Sequence, residues 1–159
     1  MTAIFNSSPW IFLSKLGLLK QALELFDRVL LPSSVKEEIS ARKDEAYEAL
    51  QEVQGVKQVE IVTTSNVRFV AGLRRRLGKG EAEAIVIALE KNADIVVLDD
   101  HTARSEARRL GLQVKGTLGI IRRMMELGIA DIEVNELYER LQKMGFRIKK
   151  DLFWEIFKE

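Results

Sequence analysis

Four separated stretches of the chain bring side-chain oxygens to the ends of predicted elements. Asn6, Ser7 and Ser8 follow a short apolar opening segment. Glu37 and Glu38 follow Leu31-Pro32-Ser33-Ser34, Glu81 and Glu83 follow Gly78-Lys79-Gly80, and Asp99 and Asp100 follow Ile95-Val96-Val97-Leu98. Clustered carboxylates repel one another unless a cation or a proton joins them. Hard divalent ions such as Mg²⁺ and Mn²⁺ take oxygen ligands. Such an ion lowers the pKa of a coordinated water and stabilises a phosphoryl transition state. The sequence has no cysteine and one histidine, His101. Thiolate chemistry and multi-histidine zinc sites are therefore excluded, and a Ser-His-Asp triad would have to use His101. An all-oxygen set points instead to metal-assisted phosphodiester hydrolysis.

Each of these residues also has a plainer reading. Glutamates early in a helix interact well with its dipole and need no function. Asp100 can serve as an N-cap for a helix beginning near Thr102. Ala82, Ile85, Val86 and Leu89 form one helical stripe. Glu81 and Glu83 fall on opposite flanks of it, so one of them faces any single site and the spacing leaves open which. Arg74, Arg75, Arg76, Lys79 and Arg104 could hold RNA phosphates, or form a solvated face paired with the many glutamates. His101, at a helix start, reads as exposed. The Gly78-Lys79-Gly80 turn lacks the Lys-Ser/Thr ending of a phosphate-binding loop.

Alternating strands and helices must position these groups. Strands are predicted over Ala3–Asn6, Arg28–Leu31 (closed by Pro32), Val59–Thr63, Ile95–Leu98 and Leu112–Lys115. Helices are predicted from Ser8 and Pro9 to Gly17, over Leu18–Phe26, from Val35 to about Val53, over Asn66–Leu77, Glu81–Lys91, His101–Leu110, Thr117–Leu127 and Val134–Met144, with a terminal turn at Leu152–Phe157. Strands separated by helices of this length pair in parallel. The expected fold is three-layer α/β/α with a central, mainly parallel sheet, and its ligand site lies beyond the carboxyl ends of the strands. At 159 residues, the chain reads as one domain, 1–159, with about 146–159 as a C-terminal extension packed on it by Phe153, Trp154 and Phe157. A net charge of +1 with 47% hydrophobic residues describes an ordinary globule. No apolar run reaches the roughly 18 residues of a membrane span, and no leader is visible, so a cytoplasmic location is expected.

The chain resembles the PIN-domain family, specifically a prokaryotic PIN-like subfamily related to VapBC-type toxin nucleases. The resemblance rests on Ile4-Phe5-Asn6-Ser7-Ser8-Pro9, Leu31-Pro32-Ser33-Ser34-Val35-Lys36-Glu37-Glu38-Ile39, Gly78-Lys79-Gly80-Glu81-Ala82-Glu83-Ala84-Ile85, Val97-Leu98-Asp99-Asp100 and Lys115-Gly116-Thr117-Leu118-Gly119-Ile120, in that order. It implies an endoribonuclease using Mg²⁺ or Mn²⁺. Carried over residue by residue, the acidic set is Glu38, Glu83 and Asp100, with Asp99 as an extra or alternative ligand, and Ser7, Ser8 and Thr117 as hydroxyls that orient the ligands. The first position departs: Asn6 stands where the family usually has Asp. An amide oxygen can ligate Mg²⁺ but contributes no charge. The alternative implied is an impaired module that binds RNA or protein. The resemblance further implies a homodimer, RNA as substrate, and an antitoxin as possible partner.

Overall fold

The computed structural model describes residues 1–56 and 58–158. Among them the strands are β1 (Thr2–Phe5), β2 (Arg28–Pro32), β3 (Val59–Val62), β4 (Ile95–Val97) and β5 (Val114–Lys115). All pair in parallel, in the order β3-β2-β1-β4-β5. The chain winds outward from β1 to β3, then returns across the sheet to β4 and β5. Crossovers in this sense require the two halves to be covered on opposite faces. One layer holds α1 (Ser7–Lys15), α2 (Leu19–Leu23), α3 (Ser33–Arg42), α4 (Glu45–Val53), α8 (Thr117–Glu126), α9 (Val134–Lys143) and α10 (Lys150–Ile156). The other holds α5 (Val67–Leu73), α6 (Lys79–Glu90) and α7 (His101–Arg109).

Two cores result, one on each face of the sheet. Phe5, Val97 and Trp10 belong to the first, where Phe5 meets Trp10 and Phe26 edge-on at 6.3 and 5.9 Å. Ile4, Val96 and Leu98 belong to the second, with α6. The terminal α10 is integral to the first core. Phe153 is fully buried and packs on Tyr138 at 4.9 Å and Phe157 at 4.8 Å. Among the described residues no helix is long and apolar enough to cross a membrane.

Several boundaries differ from the sequence expectation, each for a local reason. The single helix expected from Val35 to Val53 is two. Lys43 turns left-handed at φ 53°, and Asp44 caps a new helix by accepting from Ala46 N at 3.1 Å. The first helix begins at Ser7, so Asn6 rather than Ser8 is its N-cap residue. The helix expected to reach Leu77 stops at Leu73 and leaves Arg74, Arg75 and Arg76 on an exposed turn. Lys79 and Gly80, expected in a turn, form the first turn of α6. Glu81 reaches back to accept from Gly78 N at 3.2 Å, as a capping-box glutamate does. The expected stripe of α6 is also wider: every residue from Ala82 to Ala88 is buried, because the helix lies along the sheet between its neighbours.

Candidate active site at the carboxyl edge

The winding direction reverses between β1 and β4, and the crevice at such a switch point is where an open α/β sheet binds its ligand. The two strands pair Phe5 with Val97, and Asn6 N donates to Val97 O at 3.1 Å. Side chains alternate across a strand. Phe5 and Val97 enter the first core, and Ile4, Val96 and Leu98 the second. Alternation therefore sends Asn6 and Asp100 toward the α6 layer and Asp99 toward the α1 and α8 layer.

The hydrogen bonds follow that division. Asp99 Oδ1 accepts from Thr117 N at 2.7 Å, and Asp99 Oδ2 from Thr117 Oγ1 at 2.6 Å and Ser8 Oγ at 3.2 Å. Burial pushes the Asp99 carboxyl up, against the lowering effect of those bonds and of the Arg104 guanidinium. Asp100 is exposed, and its Oδ2 accepts from Ala103 N at 2.9 Å as the N-cap of α7. Asn6 is 4% exposed and sits in the N-cap position of α1 without making a side-chain capping bond, so its carboxamide is left for the crevice.

Helix α3 supplies Glu38, exposed on its crevice side, with Oε2 accepting from Ser7 Oγ at 2.7 Å. Helix α6 meets both groups at Gly80. A Cβ built there would stand 2.9 Å from Glu38 Oε1, 3.2 Å from Asn6 Oδ1 and 3.1 Å from Val35 Cγ2. Glycine is what allows this helix start to close on the Asn6 amide and the Glu38 carboxylate together. The next residue, Glu81, is partly buried, and its carboxyl is raised above the usual range first by burial, with the charges of Asp100 and Glu38 adding to the rise. Glu83 lies two residues further along, buried at 7% exposure, with Lys79 Nζ 4.0 Å from its Oε1. Glu37 is exposed on the same helix as Glu38.

Asn6, Ser7, Glu38 and Gly80 are thus drawn to one edge, Glu81 feels the charges of Asp100 and Glu38, Glu83 shares the Gly80 face of α6, and Asp99 is engaged with Thr117 and Ser8. Two features were not legible in the residue pattern. The close approach at Gly80 had only the Gly-x-Gly spacing as a signal. Whether Glu81 or Glu83 faces the site depends on how far α6 slides over β1. Among the predicted RNA contacts, Arg74, Arg75 and Arg76 are exposed, with Arg76 loosely paired to Glu106 at 3.8 Å. Lys79 is exposed on the first turn of α6. Arg104 is half-buried and donates to Leu98 O at 3.1 Å, and burial together with Arg108 lowers its pKa. His101 is exposed. The two large hollows, of 490 and 540 Å³, lie elsewhere, along Glu45 and Glu48 and beside Phe146.

Among the described residues no three histidine, aspartate or glutamate side chains converge as a ready-made metal site. The donor set nevertheless suits a hard cation. Glu81 lies in the repulsive field of two carboxylates, and the buried Asn6 oxygen adds a neutral donor beside Glu38. A family model described as a PIN domain matches residues 2–159. A comparison with curated proteins gives no match.

Proposed function

Because the chain belongs to the PIN-domain family, with its nuclease-type fold, we propose that it is an endoribonuclease whose Mg²⁺ or Mn²⁺ is held by Glu38, Glu81 and Asp100, with Asn6 Oδ1 as a neutral fourth donor. The observation that carries this reading is the close approach of Glu38 and Asn6 to the start of α6 at Gly80, with Glu81 next in the chain and opposed by the charges of Asp100 and Glu38. When bound, the ion supplies an activated water and offsets charge on the phosphoryl group. The protein's own groups orient and hold. Ser7 fixes the Glu38 carboxylate by its 2.7 Å bond. Gly80 leaves space between Glu38 and Asn6 that any side chain would fill. The exposed Arg74, Arg75, Arg76 and Lys79, just before Glu81 in the chain, draw the RNA phosphates to that edge. In this reading Glu83, the residue given by the family resemblance, pairs with Lys79 at 4.0 Å and supports the first turn of α6.

Manganese titration and RNA cleavage on Glu81→Gln and Glu83→Gln separate these roles. Loss of both in Glu81→Gln, with both largely kept in Glu83→Gln, supports the assignment. The reverse pattern overturns it in favour of Glu83. The neutral Asn6 favours a second reading, a module that binds RNA without cutting it, and Mn²⁺ binding without cleavage would select that reading. In a toxin–antitoxin pair, a partner segment bearing a basic side chain would silence the protein by covering this edge.

A further inference from the structure

We infer that Asp99 is the positioning residue of this site: with Thr117, Ser8 and Arg104 it fixes the direction in which Asp100 presents its carboxylate. The inference rests on the nuclease reading and divides the work of two adjacent aspartates.

Asp99 is already filled. A carboxylate offers about four acceptor positions, and Asp99 uses three, on Thr117 N at 2.7 Å, Thr117 Oγ1 at 2.6 Å and Ser8 Oγ at 3.2 Å. The remaining side faces the Arg104 guanidinium, which packs over Gly116. A Cβ at Gly116 would collide with that guanidinium and come within 3.0 Å of Asp99 Oδ1 and 3.4 Å of Leu98 O. Arg104 also donates to Leu98 O at 3.1 Å. The peptides on either side of Asp99 are therefore held from two directions, by α1 and α8 through its carboxylate and by α7 through Leu98 O. Asp100 follows directly, and its rotamer is completed by the 2.9 Å bond from Ala103 N. Ser7 and Ser8 extend the arrangement, since neighbouring hydroxyls on the first turn of α1 bind Glu38 and Asp99 respectively. One helix turn thus ties a carboxylate from α3 to the anchor behind Asp100. Groups that orient metal-holding carboxylates in this way typically change metal affinity about 10–100-fold when removed.

The test compares the full chain with Thr117→Val, which keeps the shape and loses the hydroxyl, and Thr117→Ser, which restores it. The readouts are the Ala103 amide resonance, which reports the Asp100 capping bond, and Mn²⁺ affinity. Thr117→Val should move the Ala103 resonance and weaken Mn²⁺ binding about 10–100-fold, and Thr117→Ser should return both toward wild type. A merely structural hydroxyl would lower the melting temperature of Thr117→Val and leave both readouts in place, which would overturn the inference. If Thr117→Val fails to fold, Ser8→Ala removes one bond to Asp99 and should shift the same resonance; no shift overturns the inference. A wild type that binds no Mn²⁺ counts against the nuclease reading, while the Ala103 resonance still decides the role of Asp99.

Discussion

Restoring a carboxylate at position 6 should make the protein less stable without metal and more stable with it. Asn6 Oδ1 and Glu38 Oε1 both lie close to the point a Gly80 Cβ would occupy, at 3.2 and 2.9 Å, so the new charge of Asn6→Asp would stand no more than about 6 Å from Glu38. At that separation two like charges repel by about 0.7 kcal/mol in bulk water and about 3 kcal/mol at the effective dielectric of a protein surface. Asn6 is buried and Glu38 is exposed, so a cost of about 1–2 kcal/mol is expected between those limits. For a chain of this size that lowers the melting temperature by roughly 2–8 °C. The deficit should vanish in acid. The new carboxyl is raised above its unfolded value by burial and by Glu38, so its cost is absent below the unfolded pKa and grows as pH rises through the folded one. Saturating Mn²⁺ should reverse the order, because a ligand that binds only the folded state stabilises it in proportion to its affinity. The affinity gain should be at least about tenfold, or about 1.4 kcal/mol. Thermal melts with and without Mn²⁺ at neutral pH, beside calorimetric titration, read both signs. An Asn6→Asp protein that melts with wild type in the absence of metal and gains nothing from Mn²⁺ would refute the placement of Asn6 among the carboxylates.

Gly80→Ala tests the close approach. A helical Gly→Ala change gains about 1 kcal/mol, which offsets part of the crowding at 2.9 Å from Glu38 Oε1, so the melting temperature should move little while Mn²⁺ affinity falls; unchanged affinity contradicts the geometry. Glu81→Gln keeps the acceptor that Gly78 N uses and removes the charge. Because the Glu81 carboxyl is raised, by burial first and then by Asp100 and Glu38, ionising it weakens the fold as pH rises through the carboxylate range. Melts without divalent metal should therefore show the variant and wild type converging in acid and the variant more stable at neutral pH. Phe153→Ala should cost about 3–5 kcal/mol and lower the melting temperature by roughly 6–20 °C, since this fully buried ring joins α10 to the first core; a small loss would make the C-terminal segment an appendage.

Much of the fold was legible because its signals are local. Ile95-Val96-Val97-Leu98 is buried on both faces and reads as a central parallel strand. Gly111, at φ 88°, ends its helix region as the sequence implies. The break at Lys43 was hidden, because a lysine in the left-handed region leaves no mark in the sequence and only Asp44 hinted at a new cap. The site was legible as a set of segments rather than as a set of atoms. Strand alternation required Asp99 and Asp100 to face opposite layers, but which layer holds the crevice depends on where α6 crosses β1. The same crossing decides between Glu81 and Glu83. Arg104 illustrates the limit most plainly. Its sequence context offered a phosphate contact or a solvated face, whereas its guanidinium donates to Leu98 O near the Asp99 charge, in a place left open by the bare backbone of Gly116.

Mn²⁺ binding measured by calorimetry on wild type and on Asp100→Asn, with RNA cleavage followed in the same buffer, tests the central claim most directly. Wild type should bind and cleave, and the variant, which retains the oxygen to cap α7 but not its charge, should lose both. A wild type that shows no binding even at millimolar Mn²⁺, or a variant that binds and cleaves as well as wild type, would contradict it.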